Sequence, residues 1–177
     1  MLKGCKVILR GKRLADAVDD YNWRRDTELT RLDATLPPAI PFYEYLISYT
    51  EELQYPSLQR HRFAIDTIDG KHIGNCMCYD IDHDRGEAEL GIMIGDRDYW
   101  DNGYGTDAVT TLVGHVFNTT SLKRIYLRTL DWNLRAQNCF RKCGFTPCGR
   151  RIKNGYSFII MEVRRKDWIT LLSVESN

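Results

Sequence analysis

No stretch of this chain approaches the roughly 18 consecutive apolar residues of a membrane-spanning helix, so no membrane partner is expected. The opening Met1-Leu2-Lys3-Gly4-Cys5-Lys6 lacks a hydrophobic secretory core, which argues against export and for the cytoplasm. Charge of one sign is also missing: 25 Lys and Arg against 24 Asp and Glu leave a formal net charge of +1. With no dense Lys/Arg block either, nucleic acid is not an expected partner. Repeats, low-complexity stretches and linkers are absent. The 177 residues suffice for one domain with a buried core, so residues 1–177 read as a single domain.

Metal chemistry finds little support. Six cysteines are present, but no Cys-x-x-Cys pair occurs and no histidine stands at a familiar zinc spacing. Buried thiols are the expected reading, with no metal. Cys76 and Cys78, two apart in a predicted strand, are expected to face opposite sides of the sheet, and Cys139 and Cys143 to share one face of a helix. Asp80, Asp82 and Asp84 invite a calcium loop. Arg85 stands where that loop needs its glycine, however, and Gly91 where it needs a bidentate glutamate.

What is present is a clear alternation of periods. Lys6–Leu9 reads as a strand, and the spaced apolar residues of 12–33 as one or two amphipathic helices. Pro37-Pro38 interrupts them, and Pro41 opens a helix over Phe42–Leu53. Strands are predicted at Arg62–Ile68 and Lys71–Asp80, joined by the hairpin signal Asp69-Gly70, and at Glu87–Ile94. A helix follows over Tyr104–Phe117, a strand over Lys123–Leu130 and a helix over Leu134–Cys143, ended by Gly144. Two last strands, Phe145–Arg151 and Tyr156–Val163, meet near Asn154-Gly155. The order β-α-α-β-β-β-α-β-α-β-β makes a mixed α/β domain with an antiparallel front half and one crossover.

The stretch Glu89–Ala108 concentrates the chemistry. It reads as strand, polar bend, glycine pair and helix start. Gly103 and Gly105 let backbone approach a ligand, and the helix behind them aims unpaired N–H groups and its positive dipole end at the same place. A pyrophosphate-bearing cofactor held at residues 102–107 is the expectation. A Walker loop is excluded, because Thr106-Asp107 follows Gly105 where Lys-Ser/Thr is required. A dinucleotide loop matches G-x-G-x-x-A through Ala108, with Asp131 at a suitable distance. Against it stand the eight residues between Ile94 and Gly103, and the hairpins on both sides.

Coenzyme A is the third candidate, and here the residues carry a resemblance. Trp100-Asp101-Asn102-Gly103-Tyr104-Gly105-Thr106-Asp107-Ala108 resembles the acetyl-CoA pyrophosphate loop of the GNAT superfamily of N-acetyltransferases. Asn133-Leu134-Arg135-Ala136 through Lys142-Cys143-Gly144-Phe145 resembles that family's downstream motif, and Ala88-Glu89-Leu90-Gly91 the start of its central strand. Trp100 before the loop is similar to the RimJ/RimL-like branch (ribosomal-protein-alanine and spermidine N-acetyltransferases). The resemblance spans Val7 to about Trp168.

It implies a GNAT-like acyl-CoA N-acyltransferase fold: a mixed, mostly antiparallel sheet with splayed central strands flanked by helices. It implies direct transfer of an acetyl group from acetyl-CoA to a primary amine of a small molecule or a protein N-terminus, with no metal. Backbone at Ile92, Met93 and Ile94, opened by a bulge near Gly91–Met93, is implied to hold the reacting end of the cofactor. Asn102, Gly103, Tyr104, Gly105 and Thr106 would hold the phosphates, and Asn133 the pantetheine. An alkyl ammonium, with a pKa near 10.4, must lose a proton before it attacks. Glu89 is the candidate base, with a salt-bridged structural carboxylate as its alternative and Glu87 in reserve. Where many members carry a tyrosine that protonates the leaving thiolate, this chain has Phe140, which has no proton to give. Cys139 and Tyr104 are weak substitutes, so the mechanism is expected to lack that tyrosine acid or to use a water. That departure supports an alternative, a CoA-binding regulatory domain without catalysis; a dinucleotide-binding enzyme comes third. Asp107 sits oddly where phosphate is expected. Residues 12–55 and the Asn154 turn would build the acceptor pocket, and homodimers are common among relatives.

Overall fold

The computed structural model describes residues 1–57 and 59–168; residues 169–177 of the expected domain lie outside them. Eight strands form one sheet in the order β1-β2-β3-β4-β5-β6-β8-β7. They are β1 (Leu2–Lys3), β2 (Val7–Gly11), β3 (His61–Thr67), β4 (His72–Asp82), β5 (Glu87–Ile94), β6 (Arg124–Leu130), β7 (Thr146–Lys153) and β8 (Tyr156–Arg164). Every neighbouring pair is antiparallel except β5 and β6. That one parallel pair needs a crossover, which α4 (Tyr104–Thr119) supplies. The described residues also include α1 (Ala17–Arg25), α2 (Thr27–Leu32), α3 (Phe42–Gln54) and α5 (Leu134–Lys142).

Alternation along the strands sends Val7, Leu9, Ile65, Cys76, Cys78, Ala88, Leu90, Ile125, Leu127, Met161 and Val163 to one face. There they pack against the stripe Ala108, Val109, Leu112, Val113, Val116 and Phe117 of α4, and against Phe140 of α5 and Cys143, which caps its end. Cys76 and Cys78 are thus on the same side, not opposite sides: a pleat repeats every two residues, so i and i+2 always share a face. The other face, over β2–β4, is covered by α1 and α3, whose Ala17, Tyr21, Tyr45 and Tyr49 form a smaller cluster. Among the described residues no helix is long and apolar enough to cross a membrane.

Candidate active site

The parallel pair is short. β5 and β6 are bonded only over Glu87–Glu89 and Arg124–Tyr126. β5 runs on beside β4 as far as Ile94 opposite Gly74, while β6 runs on beside β8 as far as Leu130 opposite Phe158. Leu90–Ile94 is therefore left without a strand on its β6 side, and backbone polar groups facing that fork need another partner. The expected bulge at Gly91–Met93 is not there. The β4–β5 register is regular through Gly91, Ile92 and Met93 and breaks only between Tyr79 and Asp82. Divergence of two strands opens the site, not an inserted residue.

Beyond Ile94 the chain turns back on itself. Asp96 accepts from the Asp98 N–H at 3.1 Å and starts a 3-10 turn over Arg97–Tyr99. Trp100 Nε1 donates to the Ile94 carbonyl at 2.7 Å, pinning the loop to the strand it left. Gly103, at φ 83°, is left-handed and caps α4, a conformation that glycine takes without strain. Because the Asp107 N–H already bonds the Gly103 carbonyl at 3.0 Å, the free donors of α4 end at Thr106.

The fork and this helix end share one cleft of about 370 Å³. Ile92, Met93, Ile94, Gly103, Gly105, Thr106 and Asn133 all line it. Asn133 caps α5, its Oδ1 accepting from the Ala136 N–H at 3.2 Å, so its amino group is what it can offer a ligand. Asn102 and Tyr104 are not among the lining residues. The Asn102 carbonyl accepts from Lys6 Nζ at 2.9 Å, and the Tyr104 ring packs edge-on against Tyr99 at 5.0 Å. Both brace the loop from behind.

Glu89 is buried, 2% exposed, and outside the cleft lining. Its Oε1 accepts from Tyr79 Oη at 2.7 Å and from Arg128 Nε at 2.8 Å, and its Oε2 from a terminal Arg128 nitrogen. Burial and then the bond to Glu89 push the Tyr79 phenol well up, so it keeps its proton. The Tyr79 ring also reaches the fork: its Cε1 lies 3.3 Å from where a Cβ on Gly91 would stand. Glu87 is tied instead to Arg124 at 2.6 Å. Phe140, 7% exposed, packs on Phe145 with ring centroids 6.1 Å apart.

Asp107 does not face phosphate. Its carboxylate accepts from the backbone N–H groups of Cys5 (3.1 Å), Lys6 (2.7 Å) and Val7 (3.0 Å), on the side of α4 away from the cleft. Sequence reasoning missed Leu29, Leu32 and Asp33, by which α2 closes one wall, and Arg135, whose guanidinium lies 3.4 Å from the centroid of the Trp100 ring. Trp100 was visible as the residue before the loop; nothing in spacing pointed to its cation.

The family model described as Acetyltransferase (GNAT) domain matches residues 6–146. An uncharacterized N-acetyltransferase p20 of Bacillus licheniformis is 35% identical over 122 residues, 68% of this chain and 67% of that protein. A probable spermine N(1)-acetyltransferase of Bacillus subtilis subsp. natto is 28% identical over 85 residues, 48% of this chain and 56% of that one. Among solved structures, the spermidine N-acetyltransferase of Vibrio cholerae in complex with CoA and spermine superimposes with a TM-score of 0.81 at 19% identity, over 92% of this chain and 98% of that one. The aminoglycoside acetyltransferase AAC(6')-Ib in complex with coenzyme A gives 0.76 at 20% identity, over 93% and 98%. At those identities the two structures speak for the fold.

Proposed function

The chain belongs to the GNAT acetyltransferase family and is an acetyl-CoA-dependent N-acetyltransferase, and from that premise we propose how its residues divide the work. The observation that carries the proposal is that the unpaired stretch Leu90–Ile94 and the N-terminus of α4 open on one cleft. Backbone at Ile92, Met93 and Ile94 pairs with the pantetheine arm, and an N–H there binds the oxyanion that forms as the amine attacks the thioester. Backbone N–H groups over Asn102–Thr106 hold the pyrophosphate, Gly103, Tyr104, Gly105 and Thr106 forming the helix start, while the Asn133 amide orders the arm between them.

Glu89 is the base, acting through Tyr79. Arg128 pairs with Glu89 through Nε and a terminal nitrogen, and the Tyr79 ring, bonded to Glu89 through its hydroxyl, packs over Gly91 in the fork. The acceptor ammonium, its own pKa lowered by desolvation, passes a proton to the Tyr79 oxygen as the phenol passes its proton to Glu89. No acid is supplied at Phe140. The thiol of CoA, with a reference pKa near 8.5, leaves as the anion.

The acceptor is a primary amine of a small molecule or a protein N-terminus. Trp100, whose indole secures the loop, supports the RimJ/RimL-like branch with its polyamine-acetylating members. The same reading has residues 1–177 as one domain, working in the cytoplasm, and a homodimer through the exposed edge strand β7. Glu89→Gln tests the base. Turnover should drop about 10²–10⁴-fold with binding of acetyl-CoA nearly unchanged. Unchanged acetylation of every accepted amine would remove Glu89 from the mechanism.

A further inference from the structure

A second cavity, of about 300 Å³, lies between the C-terminal end of α3 and the strands β2 and β3. It shares no lining residue with the cofactor cleft. Lys12, Arg60 and Arg62 line it, and Glu52 is the one acid among the described residues of its wall. Lys12, its side chain 6% exposed, is engaged with Asp20 at 2.7 Å, and Arg62 bonds Glu52 through one terminal nitrogen. Arg60 is exposed and forms no ion pair among the described residues. The wall therefore keeps an excess of positive charge.

The register of the sheet ties this cavity to the fork. Arg62 on β3 stands opposite Met77 on β4, and Met77 stands opposite Gly91 on β5. Residues paired across strands share one face of the sheet. On that face Met77 Cγ and Tyr79 Cε1 lie 3.4 Å and 3.3 Å from where a Cβ on Gly91 would stand. Arg62, Met77 and Gly91 are each only partly buried, so the row is open to a ligand. Two strand spacings, about 10 Å, separate its ends.

We propose that this cavity is the far end of the acceptor site, and that it selects a primary amine carrying a carboxylate about 10 Å from the reacting nitrogen. This rests on the fork being where acetyl transfer occurs, and it narrows the acceptor named above. The amine stands at Tyr79 over Gly91, the body of the acceptor crosses Met77, and the carboxylate meets Arg60 and Arg62. A planar guanidinium matches a carboxylate in two-pronged fashion. A tripeptide has the required span, at about 3.3–3.6 Å for each extended residue. An acidic side chain near the start of a longer chain offers the same chemistry. A polyamine would instead bring a second ammonium to like charge, which is unfavourable.

The test compares kcat/KM of the full chain for trialanine, trialanine amide and spermine at low ionic strength. A second pair, Ala-Ala-Glu amide and Ala-Ala-Gln amide, moves the acid from the chain end to a side chain. The acid of at least one pair should exceed its neutral partner roughly tenfold, chiefly through KM, and the pair that shows it names where the acid is carried. Arg60→Glu should bring that ratio to about one. Equal values within both pairs, a ratio that survives Arg60→Glu, or spermine outpacing every peptide overturns the proposal. Calorimetry of the CoA complex with N-acetyl-trialanine, N-acetyl-Ala-Ala-Glu amide and their neutral partners reads the same contact without turnover. One acid should bind roughly tenfold tighter than its partner, and equal affinities in both pairs overturn the proposal. Failure to acetylate any amine, with acid-selective binding intact, defeats the function proposed above and leaves the carboxylate site standing. Acetylation without acid preference defeats only this site.

Discussion

The two faces of the central sheet are built of different material. Under α4 and α5 lies an apolar face: Ile125, Leu127, Met161 and Phe145 are each at most 1% exposed and belong to one hydrophobic cluster. The opposite face carries charge in rows. Arg10 joins Asp16 at 2.8 Å and Asp66 at 2.6 Å, Lys12 joins Asp20 at 2.7 Å, and Arg124 lies between Glu87 and Glu162. The apolar face is held by area removed from water, which tolerates approximate fits. The charged face is held by pairing, where the loss of one partner strands another in low dielectric. The cofactor's phosphates and pantetheine lie at the edge of the first face, in the reading above, and the proton leaves through the second.

Arg10→Ala should break this comparison most violently. It leaves Asp66, 6% exposed, without its cation and Asp16, 3% exposed, with Lys12 at 3.8 Å, and Asp66 Oδ1 already lacks a partner. The expected loss is about 3–5 kcal/mol of unfolding free energy in a urea titration. Leu127→Ala on the apolar face should cost about 2–4 kcal/mol by the same assay. If Arg10→Ala costs under about 1 kcal/mol, the charged face is decoration on a fold held from the other side.

Tyr79→Phe tests whether the charged face also works. Removing one hydroxyl from the proposed relay should lower kcat about 10- to 100-fold, or about 1.4–2.7 kcal/mol in the barrier, with the acetyl-CoA dissociation constant within about twofold of wild type. A larger effect on binding than on turnover would make Tyr79 a wall of the site and return the base to an unidentified group.

The apolar face was readable in advance because it is periodic. Glu87–Ile94 is placed to the residue, and the stripe of α4 falls where a 3.6-residue period puts it. The parts that escaped are short or pairwise. β1 is two residues long and exists because Leu2 and Lys3 pair with Leu9 and Ile8. The partners Glu89 and Arg128 are 39 residues apart, and each alone looks like the solvated side of a strand. The backbone part of the candidate site, Ile92–Ile94 and Gly103–Thr106, was legible because a motif of fixed spacing encodes it. The wall from α2 was not, since Leu29, Leu32 and Asp33 reach the cleft through the packing of a helix with no local signature.

Asp107→Asn should sharpen the boundary between the two faces near the cofactor. Asp107 sits in the first turn of α4 but binds three N–H groups of the turn into β2. Replacing its charge should cost about 1–2 kcal/mol of stability, because charge-assisted bonds become neutral ones and one oxygen becomes a donor. The KM for acetyl-CoA should stay within about twofold. A steep rise in KM with stability unchanged would put Asp107 back in the phosphate site.

The smallest effect lies at the start of α2, the helix that closes the cleft. Asp26 accepts from the N–H groups of Glu28 and Leu29, both at 3.0 Å, and pairs with Arg97 at 2.6 Å. The Leu29 N–H, with Arg97 and the Glu28 N–H, holds the Asp26 carboxyl below its ordinary range despite a small cost of burial. Arg97 is half exposed, so solvent screens its share and the cap supplies most of the stabilisation. Asp26→Ala should therefore cost about 1 kcal/mol at pH 7. A depressed folded-state pKa means that this stabilisation is complete above the unfolded value of about 3.9 and disappears as pH falls through the lower folded value. Melting curves of the two proteins should thus differ by a constant amount from about pH 8 to 5 and converge below about pH 4. A difference that instead grew on acidification would require the carboxyl to be raised in the fold, and the cap would not be what holds the α2 wall in place.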